Sequence, residues 1–156
     1  MCSSDLSGTI SQDTLAPGTG WVYGYPYGFL YGLKFTSSSS GASATFYQTI
    51  ETFNCADLAG QTVTLSFYAL GSPDSKQLSA GLLYSTTTNA ASSGTFTSIT
   101  STTVTLGTTF TKYSVSASIP STAKTVQVTL TGSSYNAAEY FIITGVQLEQ
   151  GSLSGA

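Results

Sequence analysis

Arginine and histidine are absent from this chain, only 7% of its residues carry a charge, and four lysines stand against seven acids for a net charge of -3. A surface that neutralises nucleic-acid phosphates needs clustered Lys and Arg, so nucleic acid is excluded as a partner. Without His, no Ser-His or Cys-His pair can form, which removes triad hydrolysis and the transition-metal sites that depend on imidazole. Two cysteines, Cys2 and Cys55, allow one bridge at most. A bridge needs Cα atoms roughly 4.4–6.8 Å apart, which nothing in the sequence dictates, so a buried or free thiol is expected at Cys55. There is no run of about 18 apolar residues and no basic segment ahead of an apolar core, so neither membrane insertion nor a signal peptide is expected.

What fills the chain instead is Ser, Thr, Gly, Asn, Gln and Tyr, a polarity made of hydroxyls and amides. At 156 residues the expectation is one domain with a two-layer core. Period-2 alternation runs through most of it. Val63, Leu65, Phe67 and Ala69 oppose Thr62, Thr64, Ser66 and Tyr68, which reads as an antiparallel strand with one wet face. Similar runs occupy residues 31–35, 44–51, 77–84, 97–106, 110–119 and 125–131, and Pro or Gly-containing turns separate them. In the closing run, residues 141–149, Ile142, Thr144, Val146 and Leu148 share one side. About eight strands without helical periodicity predict an all-β fold, an antiparallel two-sheet β-sandwich of jelly-roll type. Residues 1–20 read as a lead-in, 21–151 as the single jelly-roll domain and 152–156 as a tail. Residues 132–137 read as a turn, and the Ser85–Thr95 run as a long, flexible, low-complexity loop.

Carboxylates that could serve glycoside hydrolysis, Glu51, Glu139 and Glu149, must converge within roughly 5–10 Å to do so. Glu51 and Glu149 fall at strand ends, where a solvated carboxylate is the ordinary outcome, and the chain reads as a non-enzyme. No acidic cluster has calcium-loop spacing, so no cofactor or metal is expected, a structural calcium held by scattered carboxylates being the alternative. The oddest segment runs from Trp21 to Tyr31, where six aromatics in eleven residues alternate with Gly and Pro. Pro26 argues against a central strand there, so this is a loop or edge built from rings. Trp21, Tyr23, Tyr25, Tyr27 and Tyr31 are the candidate carbohydrate-binding residues, because sugar C–H faces stack on such rings. Equally, the same rings can close one end of the sandwich or anchor a subunit contact.

Four stretches carry a resemblance, in order along the chain. They are Phe46-Tyr47-Gln48-Thr49-Ile50-Glu51, then Leu58 to Ala69, then Thr111-Lys112-Tyr113-Ser114-Val115 ending at Ile119-Pro120, and finally Thr144-Gly145-Val146-Gln147-Leu148-Glu149-Gln150-Gly151. Together they resemble the β-sandwich modules of bacteriophage tail fibres and other virion structural proteins, which are similar to carbohydrate-binding, galactose-binding-like jelly rolls. The resemblance implies a virion protein in the tail or fibre, host-surface glycan and other virion subunits as partners, and a homotrimer. Such modules often carry an acidic residue followed by Arg-Trp; here Trp21 follows Gly20 without the Arg. Two other roles fit the same residues: a structural virion domain acting as spacer, oligomerisation or decoration unit, and a secreted bacterial carbohydrate-binding module. The opening Cys2-Ser3-Ser4-Asp5-Leu6 resembles the translation of a sequencing-library adapter, as in an assembled environmental read, and residues 1–6 are given no functional weight.

Overall fold

The computed structural model describes residues 2–4, 8–14, 31–91 and 94–152. Among them ten strands and one helical turn appear in the order β1 (Cys2–Ser4), β2 (Gly8–Thr14), β3 (Tyr31–Ser37), β4 (Ala42–Ile50), α1 (Thr52–Cys55), β5 (Thr62–Ser72), β6 (Lys76–Ser85), β7 (Thr97–Leu106), β8 (Thr111–Ser118), β9 (Thr125–Tyr135) and β10 (Tyr140–Gln150). A first sheet has the order β1-β4-β9-β6-β7 and a second β2-β3-β10-β5-β8, every pairing antiparallel. From β3 onward the chain changes sheet at each connection except the β6–β7 hairpin. That alternation produces the jelly roll expected from the sequence.

The apolar faces meet between the sheets. Phe67, Leu65 and Val63 of β5 pack with Leu78, Ala80 and Leu82 of β6 and Val126, Val128 and Leu130 of β9, nearly all fully buried. At one end three aromatic rings close around Phe141, which lies 5.5 Å from Phe35, 5.8 Å from Phe46 and 5.3 Å from Tyr135 between centroids, in tilted or edge-on geometries that favour ring pairs. Gly132 makes this cluster possible. A Cβ there would stand 2.4 Å from Phe141 Cε1, so the glycine expected to end β9 sits inside it, and the strand continues to Tyr135.

Three further expectations change. Residues 8–14, read as lead-in, form β2, an edge strand paired with β3 from Gly8↔Ser37 to Thr14↔Tyr31. Its alternation is weak because Ile10 is its one apolar residue, and it packs against the core opposite Phe35. Cys2–Ser4 likewise pair with Tyr47–Thr45 of β4. Secondly, β10 does not keep one face throughout. A bulge between Thr144 and Gln147, with Gly145 at φ +60°, inserts one residue opposite β5. Before it Phe141 and Ile143 point to the core; after it Val146 and Leu148 do. Thirdly, the 85–91 segment is tied down: Thr87 N donates to Ser85 Oγ, Thr125 Oγ1 accepts from Ala90 N and donates to Thr87 O, and Asn89 exchanges two bonds with Thr52.

Candidate functional site

Of the five aromatic residues singled out in the sequence, Trp21, Tyr23, Tyr25 and Tyr27 lie outside the described residues. Tyr31 is described. It opens β3 and is 56% exposed, a large value for an aromatic ring. Its carbonyl accepts the hydroxyl of Thr144 at 2.7 Å. Thr144 in turn stands opposite Tyr68 on β5, and Tyr68 opposite Lys112 on β8. The result is a row across the outer face of the second sheet, Thr144–Tyr68–Lys112; Tyr31 has the same parity on β3 as the core-facing Leu33 and Phe35, so its carbonyl, and not its ring, meets this row.

Period-2 geometry explains why these side chains share a face: the core-facing residues of β5 are Val63, Leu65, Phe67 and Ala69, so Thr64, Ser66, Tyr68 and Leu70 point outward. Below the row lie Gln147, Ser66 and Ser114, then Glu149, Thr64 and Ser116, each set in register. Thr64 Oγ1 lies 2.6 Å from Ser116 Oγ and donates to Gly151 O at 2.7 Å, and Ser116 Oγ donates to Ser152 O at 3.3 Å, so the chain beyond β10 turns across this face. The face is therefore not uniformly wet. Thr64 and Ser66 are 1% exposed, and Leu70 and Ile142, paired across the strands and pointing away from the core, are fully buried. Ser66 Oγ is buried with no hydrogen-bond partner among the described residues.

Lysines stand over the rings. Lys112 Nζ lies 6.0 Å from the Tyr68 centroid, and further along the face Lys34 Nζ lies 4.1 Å from that of Tyr140, within the range of a favourable cation–π contact. Rings, an exposed amide, exposed hydroxyls and ammonium groups on one face suit a polyhydroxy ligand, which offers C–H surface for stacking and oxygens for hydrogen bonds. Alternation within β5 separates this face in the sequence. Tyr140, Lys34 and Lys112 carry no signal of their own there, because their proximity to the rings arises from cross-strand register.

Beneath the bulge the sandwich opens sideways. β3 pairs with β10 only as far as Ile143 and β1 meets β4 only up to Tyr47. There Ile50, Leu65, Val128, Val146 and Leu148, with Gln48, line a slot of about 210 Å³ between the sheets.

The carboxylates weighed for catalysis are dispersed. Glu51 is exposed ahead of α1, and Glu149 lies on the outer face opposite Thr64. Glu139 belongs to the far end, where it ion-pairs with Lys76 and accepts the Asn136 backbone N–H at 2.7 Å. Those two partners, the backbone donor foremost, hold its carboxyl below the usual range. Among the described residues no three of Cys, Asp and Glu gather as a metal site. Cys55 is a free, fully buried thiol whose pKa burial raises.

No protein-family model and no curated protein sequence matches the chain. Solved structures do. Tailspike protein 4 of bacteriophage CBA120, solved as its enzymatically active domain, superposes with a TM-score of 0.65 at 18% identity, over 95% of this chain and 18% of that one. TmCBM61 in complex with beta-1,4-galactotriose gives 0.58 at 12% identity over 92% and 88%. The CBM22-2 xylan-binding domain of Paenibacillus barcinonensis Xyn10C gives 0.53 at 13% over 93% and 88%. The chain thus has the β-sandwich fold of carbohydrate-binding modules and of a domain within a phage tailspike. It spans nearly the whole of the two modules and under a fifth of the tailspike chain.

Proposed function

We propose that this chain is a non-catalytic carbohydrate-binding module of a phage tail fibre or spike, and that its ligand is a host-surface glycan. The observation that carries the reading is the Thr144–Tyr68–Lys112 row on the outer face of the second sheet, bordered by Gln147 and Ser114 and joined further along the face by the Lys34–Tyr140 pair. Tyr68 and Tyr140 supply stacking surface, and Gln147, Ser114 and Lys112 supply donors and acceptors to ring hydroxyls. The fold shared with a module solved in complex with beta-1,4-galactotriose and with a xylan-binding domain supports the ligand class. The fold shared with a tailspike domain, and the resemblance of the strand sequences to virion modules, support the setting. A structural role within the virion is favoured by Phe53, which α1 presents at 88% exposure, as a subunit contact would require.

The test is a broad glycan array probed with the purified domain and with Tyr68→Ala and Tyr140→Ala. Loss of a specific signal in both variants, with unchanged melting temperature, is the expected result. If the array stays blank even under multivalent display, the structural role becomes the better account.

A further inference from the structure

The opposite outer surface, that of the first sheet, is tiled with hydroxyls. Register sets Thr45 of β4, Thr131 of β9, Ser79 of β6 and Thr103 of β7 in one row across four strands. The hydroxyls pair within it, Thr45 with Thr131 at 3.0 Å and Ser79 with Thr103 at 2.8 Å. At the end of the sandwich the row opens into a pocket of about 240 Å³, lined by Ser79, Thr103 and Thr131 together with Ser75, Gln77 and Ser134.

The pocket also holds Lys76, but its charge is already engaged. Nζ ion-pairs with Glu139, donates to Ser134 O at 3.1 Å and lies 5.1 Å from the Tyr135 ring. A bound anion would have to compete with Glu139 for that ammonium, so the site discriminates against negative charge. Tyr135 itself is fully buried, so its ring offers a ligand no stacking surface. Each wall hydroxyl that donates to its neighbour still has lone pairs to offer, and Gln77 has an amide with two donors and an acceptor. A neutral ligand held edge-on through several hydroxyls fits this inventory. The volume falls below the roughly 300–1,000 Å³ of pockets for drug-sized molecules, which limits the occupant to about one sugar ring.

We propose that this pocket is a second binding site, specific for a single neutral pyranose residue, on the face opposite the Thr144–Tyr68–Lys112 row and independent of it. The experiment is an amide chemical-shift titration of the isotope-labelled domain with glucose, galactose, mannose and xylose, each at millimolar concentration, and with galacturonate as the charged comparison. Saturable shifts at Ser75, Gln77, Ser79, Thr131 and Ser134 with at least one neutral sugar are expected. Ser79→Ala and Thr131→Val should each weaken that binding roughly three- to tenfold, the worth of a neutral hydrogen bond, while Tyr68→Ala leaves it unchanged. Spectra of the variants report their folding directly. The proposal is overturned if none of the four sugars shifts these amides, if the shifts are confined to the second sheet, if neither hydroxyl variant weakens binding, or if galacturonate binds more tightly than galactose. Shifts confined to the second sheet would leave the proposed function standing; shifts confined to this pocket would do the reverse.

Discussion

Two outward hydroxyls two residues apart on β5 should respond in opposite ways to removal. Ser66 and Thr64 are both 1% exposed, yet Thr64 makes bonds of 2.6 Å to Ser116 Oγ and 2.7 Å to Gly151 O, whereas Ser66 Oγ has no partner among the described residues. A buried polar group left unpaired costs about 1–3 kcal/mol. Ser66→Ala removes that cost and forfeits only a handful of dispersion contacts at about 0.1–0.2 kcal/mol each, for a net stabilisation of about 1 kcal/mol. In a domain of this size each kcal/mol moves Tm by roughly 2–4 °C, so Ser66→Ala should melt a few degrees higher. Thr64→Val keeps the shape but strips the donor from the Gly151 carbonyl, and should cost about 1–3 kcal/mol by the same rule. Calorimetry at a single pH, backed by urea midpoints at unchanged slope, measures both. If Ser66→Ala lowers Tm as much as Thr64→Val does, the Ser66 hydroxyl is satisfied in solution and the reasoning fails.

Gly132→Ala should cost about 1–3 kcal/mol or prevent folding, since its Cβ would meet Phe141 at 2.4 Å; a urea midpoint equal to wild type would show that the ring cluster yields freely. At Gly145, φ +60° makes Gly145→Ala unfavourable by about 1–2 kcal/mol, whereas Gly145→Asn should recover part of the loss; equal denaturation midpoints for the two variants would count against the left-handed bulge. Because the folded pKa of Glu139 is depressed, its contribution to stability is present above the ordinary carboxylate pKa of about 4.3 and is lost as pH falls through the folded value. Glu139→Gln should therefore flatten the dependence of Tm on pH in the acid range, and an unchanged acid limb would refute the assignment. The Cys55 thiol, fully buried and with its pKa raised, should resist alkylation in the native state and react once urea unfolds the domain; rapid native labelling would contradict its burial.

How much of this architecture is legible in the chain depends on whether the determining contacts are local. β5 is, because four inward apolar residues alternate with polar ones and no partner strand is needed to see it. β2 is not: it has one apolar residue, Ile10, and owes its place to pairing with β3. The extent of β9 is hidden for a related reason, since Gly132 reads as a turn until Phe141, nine positions later, is known to fill the space beside it. The 85–91 segment has a loop's composition but is held by hydroxyls from Thr52 and Thr125, distant in sequence.

The bulge in β10 connects these limits to the candidate site. A straight strand would keep Ile142, Thr144, Val146 and Leu148 on one side, and any placement of Val146 and Leu148 toward the core would then carry Thr144 there too. By adding one residue at Gly145, the strand sends Phe141 and Ile143 inward before the bulge and Val146 and Leu148 inward after it. That leaves Thr144 and Gln147 together on the outer face. Thr144 can then reach the carbonyl of Tyr31 and stand beside Tyr68, and Gln147 can lie next to Ser66. The same residue that breaks the sequence periodicity therefore assembles the face on which binding is proposed. An irregularity in a central strand persists at an energetic cost, and here it turns the Gln147 amide to the surface and the Thr144 hydroxyl to the Tyr31 carbonyl while Val146 and Leu148 still pack against the core.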